Sequence, residues 1–288
     1  MALPLWQGGA AEALTAPPTV DAYYMSASTL SGLESQAYND GYAFAQNAPG
    51  GSRALVLDFG EASNVSDGVW GACDFTDPCT LFSNPDILEA LEHAAEGVHA
   101  GYTTGSTTIV YGVNNDNLTV RGMSDSDVYN AGYYQEIRAD DLYNYQQDNG
   151  YGQQGAAAGS DTEPSYDAHV ISNELVKGAT AAEQSVYYDY GSADGCASDG
   201  CNNNWSLINV GFASYDGLAV PLPQIYYTSS ATEWTLVRNA WFSANGSYQF
   251  WGITSEAGML NPQTAWNTLQ SDDPGEVYTE PGIVCFCG

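Results

Sequence analysis

Residues 156–167 read AAAGSDTEPSYD. The small residues at 156–159 suit the crowded middle of a sheet, and Pro164, with no N–H, cannot extend a ladder. The stretch reads as the C-terminal end of a buried strand. Residues two apart on a strand point to the same side. Asp161 and Glu163 are therefore expected as paired carboxylates on a face that would otherwise be core.

Working outward, similar β-rich runs occur at 20–27 (VDAYYMSA), 53–60 (RALVLDFG), 106–113 (STTIVYGV) and 155–161 (GAAAGSD). They continue at 185–191 (SVYYDYG), 206–214 (SLINVGFAS), 222–228 (LPQIYYT) and 248–254 (YQFWGIT), eight in all. Helical patterns fill most of the gaps. Asn84 is read as an N-cap with Pro85 at the first helical position, and Ile87, Leu88, Leu91, Ala94, Ala95 and Val98 then recur at helical spacing. Ser124 and Asp127 have capping-box spacing, and 168–184, 231–244 and 261–270 read as further helices. Strand–helix alternation argues for a parallel sheet, and no G-x-G-x-x-G turn follows the first strand. The expected fold class is α/β, a TIM-like (β/α)8 barrel in a single domain over 1–288, with an N-terminal extension (1–19) and a C-terminal tail (271–288).

Chemistry in such a barrel sits at the C-terminal strand ends. Asp58 ends the second run, Asp161 and Glu163 the fourth, and Asp189 the fifth, while Gln224 and Tyr226 place polar groups on the seventh. An acid after a strand commonly binds loop N–H groups. A D-x-E pair is different, because two like charges on one face repel and raise the pKa of one partner. A carboxyl that stays protonated beside one that stays ionised is what glycosidic cleavage requires.

The D-x-E at the end of the fourth run resembles the motif of family-25 lysozymes and of a glycoside-hydrolase-like barrel domain found in secreted bacterial proteins. LDFG, GSDTEPSYD, YYDYGSADGC…CNNNW and LPQIY are similar to segments of such secreted proteins from Gram-positive soil bacteria, across most of residues 20–255. The resemblance implies Glu163 as proton donor and Asp161 as its electrostatic partner. It makes Asp58 and Asp189 sugar-binding groups, and the strand-end reading adds Gln224 and Tyr226 as candidate substrate-binding residues. Those lysozymes carry an Asp near the end of the first strand, where this chain has Ser26.

Composition sets the remaining bounds. Asp and Glu number 35 but Lys and Arg only 5, a formal charge of -30 that arises from depletion of bases. Nucleic acid and anionic membrane surfaces are therefore excluded as expected partners. A low working pH would suit the chain, since few groups stay positive once its carboxylates protonate. The six cysteines form close pairs, Cys73 with Cys79, Cys196 with Cys201, and Cys285 with Cys287. Local disulfides in loops and an oxidising, extracellular location fit this pattern, although the Cys285–Cys287 pair reads as strained, with partners elsewhere an alternative. The N-terminus lacks a basic n-region and an apolar core, so it is not read as a signal peptide, and export implies a leader already removed. His93 and His99 lie six apart, which is not ligand spacing on one helix face, and no metal or cofactor is expected. Loop aromatics such as Tyr166, Trp205, Tyr215 and Trp251 are candidates to stack on sugar rings. The expected partner is a carbohydrate polymer, peptidoglycan among the candidates. Two rival readings remain: a glycan-binding barrel that does not cut, and an extracellular structural protein that self-associates.

Overall fold

The computed structural model describes residues 15–48, 50–101 and 105–288, so most of the expected 1–19 extension lies outside the described residues. The architecture is mixed α/β, with seven helices and mostly parallel strands. Strands β1 (Thr19–Asp21) and β2 (Tyr23–Tyr24) lead to α1 (Leu30–Asn47). Then come β3 (Ser52–Ser66), β4 (Val69–Cys73), β5 (Leu81–Ser83), α2 (Asn84–Gly101), β6 (Ser106–Asn114), α3 (Asp125–Asp148) and β7 (Gln154–Asp161). The second half runs α4 (His169–Ala182), β8 (Tyr187–Asp189), α5 (Leu207–Tyr215), β9 (Ala219–Pro221), α6 (Thr228–Asn245), β10 (Phe250–Glu256), α7 (Pro262–Asp272) and β11 (Val277–Phe286).

One sheet has the order β5-β4-β3-β6-β7-β8-β9, with β2 also on β3; the other has the order β1-β11-β10. All pairings are parallel except the β3–β4 and β4–β5 hairpins. The two sheets meet twice. Only Ala22 separates β1 from β2, and its N–H donates to Cys285 O at 2.6 Å, while the Met25 N–H donates to Asp58 O at 2.7 Å. At the other edge Gln224 bridges Thr254 in parallel, with the Ile225 N–H on Thr254 O at 2.9 Å and the Thr254 N–H on Pro223 O at 2.8 Å.

Local chemistry explains the elements. Ala54–Phe59 is an unbroken buried run, as expected of a strand covered on both faces. Ser124 caps α3 and forms a capping box with Asp127. Asn261 caps α7 with Pro262 behind it. Helices α3 and α4 touch at glycines: a Cβ on Gly178 would lie 1.9 Å from Tyr129 O, and one on Gly132 would lie 2.0 Å from Leu175 O.

Several expectations are corrected. Eleven strands are present among the described residues, against eight expected. The first is split, and β3 runs on past its parallel partner into a hairpin with β4 and β5. Residues 206–214 form α5, because Ser206 and Asn209 make a capping box that starts a helix where the apolar run alone fits either period. The strand sought at 222–228 is β9, earlier at 219–221. The segment read as a tail contains β11, whose Ile283, Val284 and Cys285 are fully buried; Pro281 and Gly282 hid it by interrupting the apolar run. The start of α2 is held by Ser83, whose N–H and hydroxyl donate to Asp86 Oδ2 at 2.9 and 2.6 Å. Asn84 instead accepts from the Tyr111 hydroxyl at 2.7 Å. All three disulfides join sequence neighbours, Cys285–Cys287 included. They fit an oxidising compartment. Among the described residues no helix is long and apolar enough to cross a membrane.

Candidate functional site

Register decides which carboxylates meet. Asp58 pairs with Gly112, Gly112 with Gly159, and Asn114 with Asp161. Since faces alternate along a strand, Asp58 and Asp161 share one face with the two glycines. The missing side chains leave room there: a Cβ on Gly112 would lie 2.2 Å from the Tyr190 hydroxyl, which itself donates to Val113 O at 3.2 Å. Ser160 pairs with Asp189, so Asp189 lies on the opposite face from Asp161. Its Oδ1 accepts from the Gly191 N–H at 3.2 Å, the loop-binding behaviour ordinary for an acid after a strand. The expectation that Asp189 touches sugar is not carried forward.

Asp58 is fully buried. Its Oδ1 accepts from the Gly60 N–H at 2.8 Å, and Oδ2 has no partner among the described residues. Burial raises its pKa to about 7 against the opposing pull of the Gly60 bond. Burial raises Asp189 to about 7 as well, against N–H donation from Gly191 and Thr162. Asp161 is nearly buried, and its Oδ1 accepts from Gln224 Nε2 at 2.6 Å. Burial first, then the charges of Glu163 and Asp58, push its carboxyl well above the usual range. Glu163 is half-buried and is also raised, chiefly by burial, while a bond from the Ser165 hydroxyl at 3.0 Å opposes the rise.

The backbone around Glu163 is clamped. Buried Asn115, just past β6, accepts from the Glu163 N–H at 2.9 Å and donates to its C=O at 3.1 Å. From the loop after β8, closed by Cys196–Cys201, Asn203 donates to Pro164 O at 2.8 Å and the Trp205 indole to Asp167 O at 2.8 Å. The Glu163 side chain faces a cavity of about 210 Å³, whose lining includes Gln224, Tyr226, Asp194 and Glu233. Asp58, Asp161 and Asp189 are not among the lining residues. The Tyr226 hydroxyl and Gln224 Oε1 are buried without partners among the described residues. Burial and the neighbouring Tyr24 and Asp161 raise the Tyr226 phenol, which keeps it protonated and able to donate.

Among the described residues no cation balances this cluster. Arg121 pairs with Glu61, Arg138 with Asp141, Lys177 with Glu174 and Arg238 with Glu276. Arg53 binds the carbonyls of Ser52 and Gly50. No metal-type group of three or more His, Cys, Asp or Glu occurs among the described residues.

Sequence reasoning missed Glu256, which ends β10, is raised by burial and adds its charge at Asp161. The strand had been ended at 254, two residues short. Tyr24 and Tyr190, both beside the acids, lay within runs read as plain β-strand. The cavity residues Asp194 and Glu233 sit on a loop and on α6, where no periodicity points to a site. Of the loop aromatics, Trp205 is buried and Tyr215 stacks on Tyr248. Tyr166 stays beside the acids, its phenol raised by burial and then by Asp161 and Glu163.

The chain matches no known family model and no curated protein. Class and chemistry therefore rest on this geometry.

Proposed function

We propose that the protein is a secreted glycoside hydrolase built on a closed (β/α)8 barrel, as its resemblance to family-25 lysozymes implies. Closure is supported by the two places where the sheets meet: β1–β2 touches both β11 and β3, and Thr254 on β10 bonds to Pro223 and Ile225. The parallel segments then number eight, with β4 and β5 as an appended hairpin.

The reading rests on one observation above all. A buried Asp161, held by Gln224, stands in the field of a Glu163 that lines an open cavity, and the Glu163 charge helps to raise the Asp161 pKa. Two such carboxyls titrate as a pair. In the proposed reaction Glu163 gives its proton to the glycosidic oxygen as that bond breaks, and a water from the cavity bonds to the anomeric carbon and returns a proton to Glu163. At low pH both members of the pair hold protons, and the negative charge that Glu163 acquires on giving up its own stabilises the positive charge growing on the sugar ring, with Asp161 staying protonated behind it. Gln224 holds Asp161 by its bond to Oδ1, and Tyr226 donates to a sugar hydroxyl. Asp58 acts through the field on Asp161.

A glycan-binding barrel that does not cut is the second reading. It is favoured by the absence of Asp58 and Asp161 from the cavity lining. Hydrolysis of a panel of cell-wall and plant glycans by wild type and Glu163→Gln separates the two. We expect wild-type turnover and a loss of roughly 10²–10⁴-fold in the variant. Saturable binding without product in both proteins would leave only the binding reading.

A further inference from the structure

Within the cavity beside Glu163, every charged group is an acid. Glu163 stands on one side, and Asp194 and Glu233 also line it. Burial and then the charge of Asp194 raise the Glu233 carboxyl, while the Gly195 N–H opposes the rise. The uncharged lining supplies an acceptor beside the Tyr226 donor. Gln224 is 3% exposed, its Nε2 is committed to Asp161, and its Oε1 is left without a partner. A buried acceptor with no donor costs free energy until a ligand supplies one. The hydroxyls of Ser192 and Ser230, also on the lining, can accept as readily as they donate. All five of the chain's bases are engaged elsewhere, as described above. An anionic sugar entering here would meet repulsion from each wall, and a neutral one would leave the carboxylates uncompensated.

We infer that the cavity selects glycans carrying free amino groups, an incompletely N-acylated aminosugar polymer, over neutral or anionic ones. An ammonium supplies several donors and a positive charge at once, matching both the orphaned Gln224 carbonyl and the three acids. This deepens the glycan reading above and rests on it, but it concerns which sugar binds, and binding can be measured apart from cleavage.

The test is calorimetric titration of the wild-type protein with two hexasaccharides of β-1,4-linked glucosamine, one fully N-acetylated and one fully deacetylated. Because burial raises Glu163 and Glu233, the titration is run at pH about 6 and again at about 7, where more of both is ionised while an amine still carries charge. The deacetylated chain is expected to bind about 10-fold tighter at low salt, with the advantage shrinking as salt screens the carboxylates. The double variant Asp194→Asn/Glu233→Gln should lose most of the preference. The wild-type salt dependence needs no variant, so a folding defect there leaves the test intact. Equal binding of the two chains, tighter binding of the acetylated chain, or no binding of either overturns the inference. Preference for the amine without any product would support the inference while sinking the hydrolase. Cleavage of neutral chains with no preference would do the reverse.

Discussion

At the scale of the residue, the buried carboxyls have a consequence for stability that can be read separately from catalysis. Asp58 has a folded pKa of about 7 against about 3.9 for an exposed aspartate. The folded state therefore holds its proton where the unfolded chain has lost it. The contribution is fully present below about pH 4 and is lost as pH rises toward 7, amounting to about 4 kcal/mol over that window. Asp58→Asn keeps an oxygen for the Gly60 N–H but cannot ionise. Urea unfolding should show the variant gaining on wild type steadily from pH 4 to 7, with no further gain above. A constant difference across that range would mean that Asp58 is not held protonated. The place of Asp161 at the end of its strand was legible in the sequence, whereas Asp58 sits inside β3, which runs on to Ser66, and Glu163 lies two residues past the end of β7. The turning of Asp189 to the other face was not legible. Its strand is only three residues long, and a register one residue different would have reversed its direction.

At the scale of the element, local signals were read best where they were redundant. The α3 start had capping-box spacing at Ser124 and Asp127, and α7 had Asn-Pro; both appear as expected. The α5 segment carried competing signals, with its β-branched and apolar residues outweighing a box at Ser206. Strand β11 was lost because a proline and a glycine broke it into unconvincing pieces. Helix–helix contact was not legible at all, since nothing in a single sequence marks which glycine meets a neighbouring backbone. The structure makes Gly178 the tightest such point between α3 and α4. Gly178→Ala would drive a methyl into Tyr129 O and should cost about 1–3 kcal/mol, as overpacking does, despite alanine's better helix propensity. An unchanged or raised melting temperature would show that the two helices can separate without loss.

At the scale of the whole molecule, net charge and site chemistry point the same way. With 35 acids and 5 bases, the chain repels itself at neutral pH, and that repulsion fades as carboxyls protonate. The buried acids of the strand ends add to the same trend, since each gains stability on protonation. An oxidising compartment fits the three disulfides, one of which closes the loop that reaches over to the backbone beyond Glu163. The proposed function depends on acids from distant parts of the chain titrating as a coupled group. Carboxyl ¹³C NMR of the protein, titrated with and without Glu163→Gln, measures that coupling directly. Asp161 should titrate well above the ordinary carboxylate range, and its midpoint should fall when Glu163 loses its charge. A midpoint for Asp161 in the ordinary range, or one indifferent to Glu163→Gln, would contradict the account.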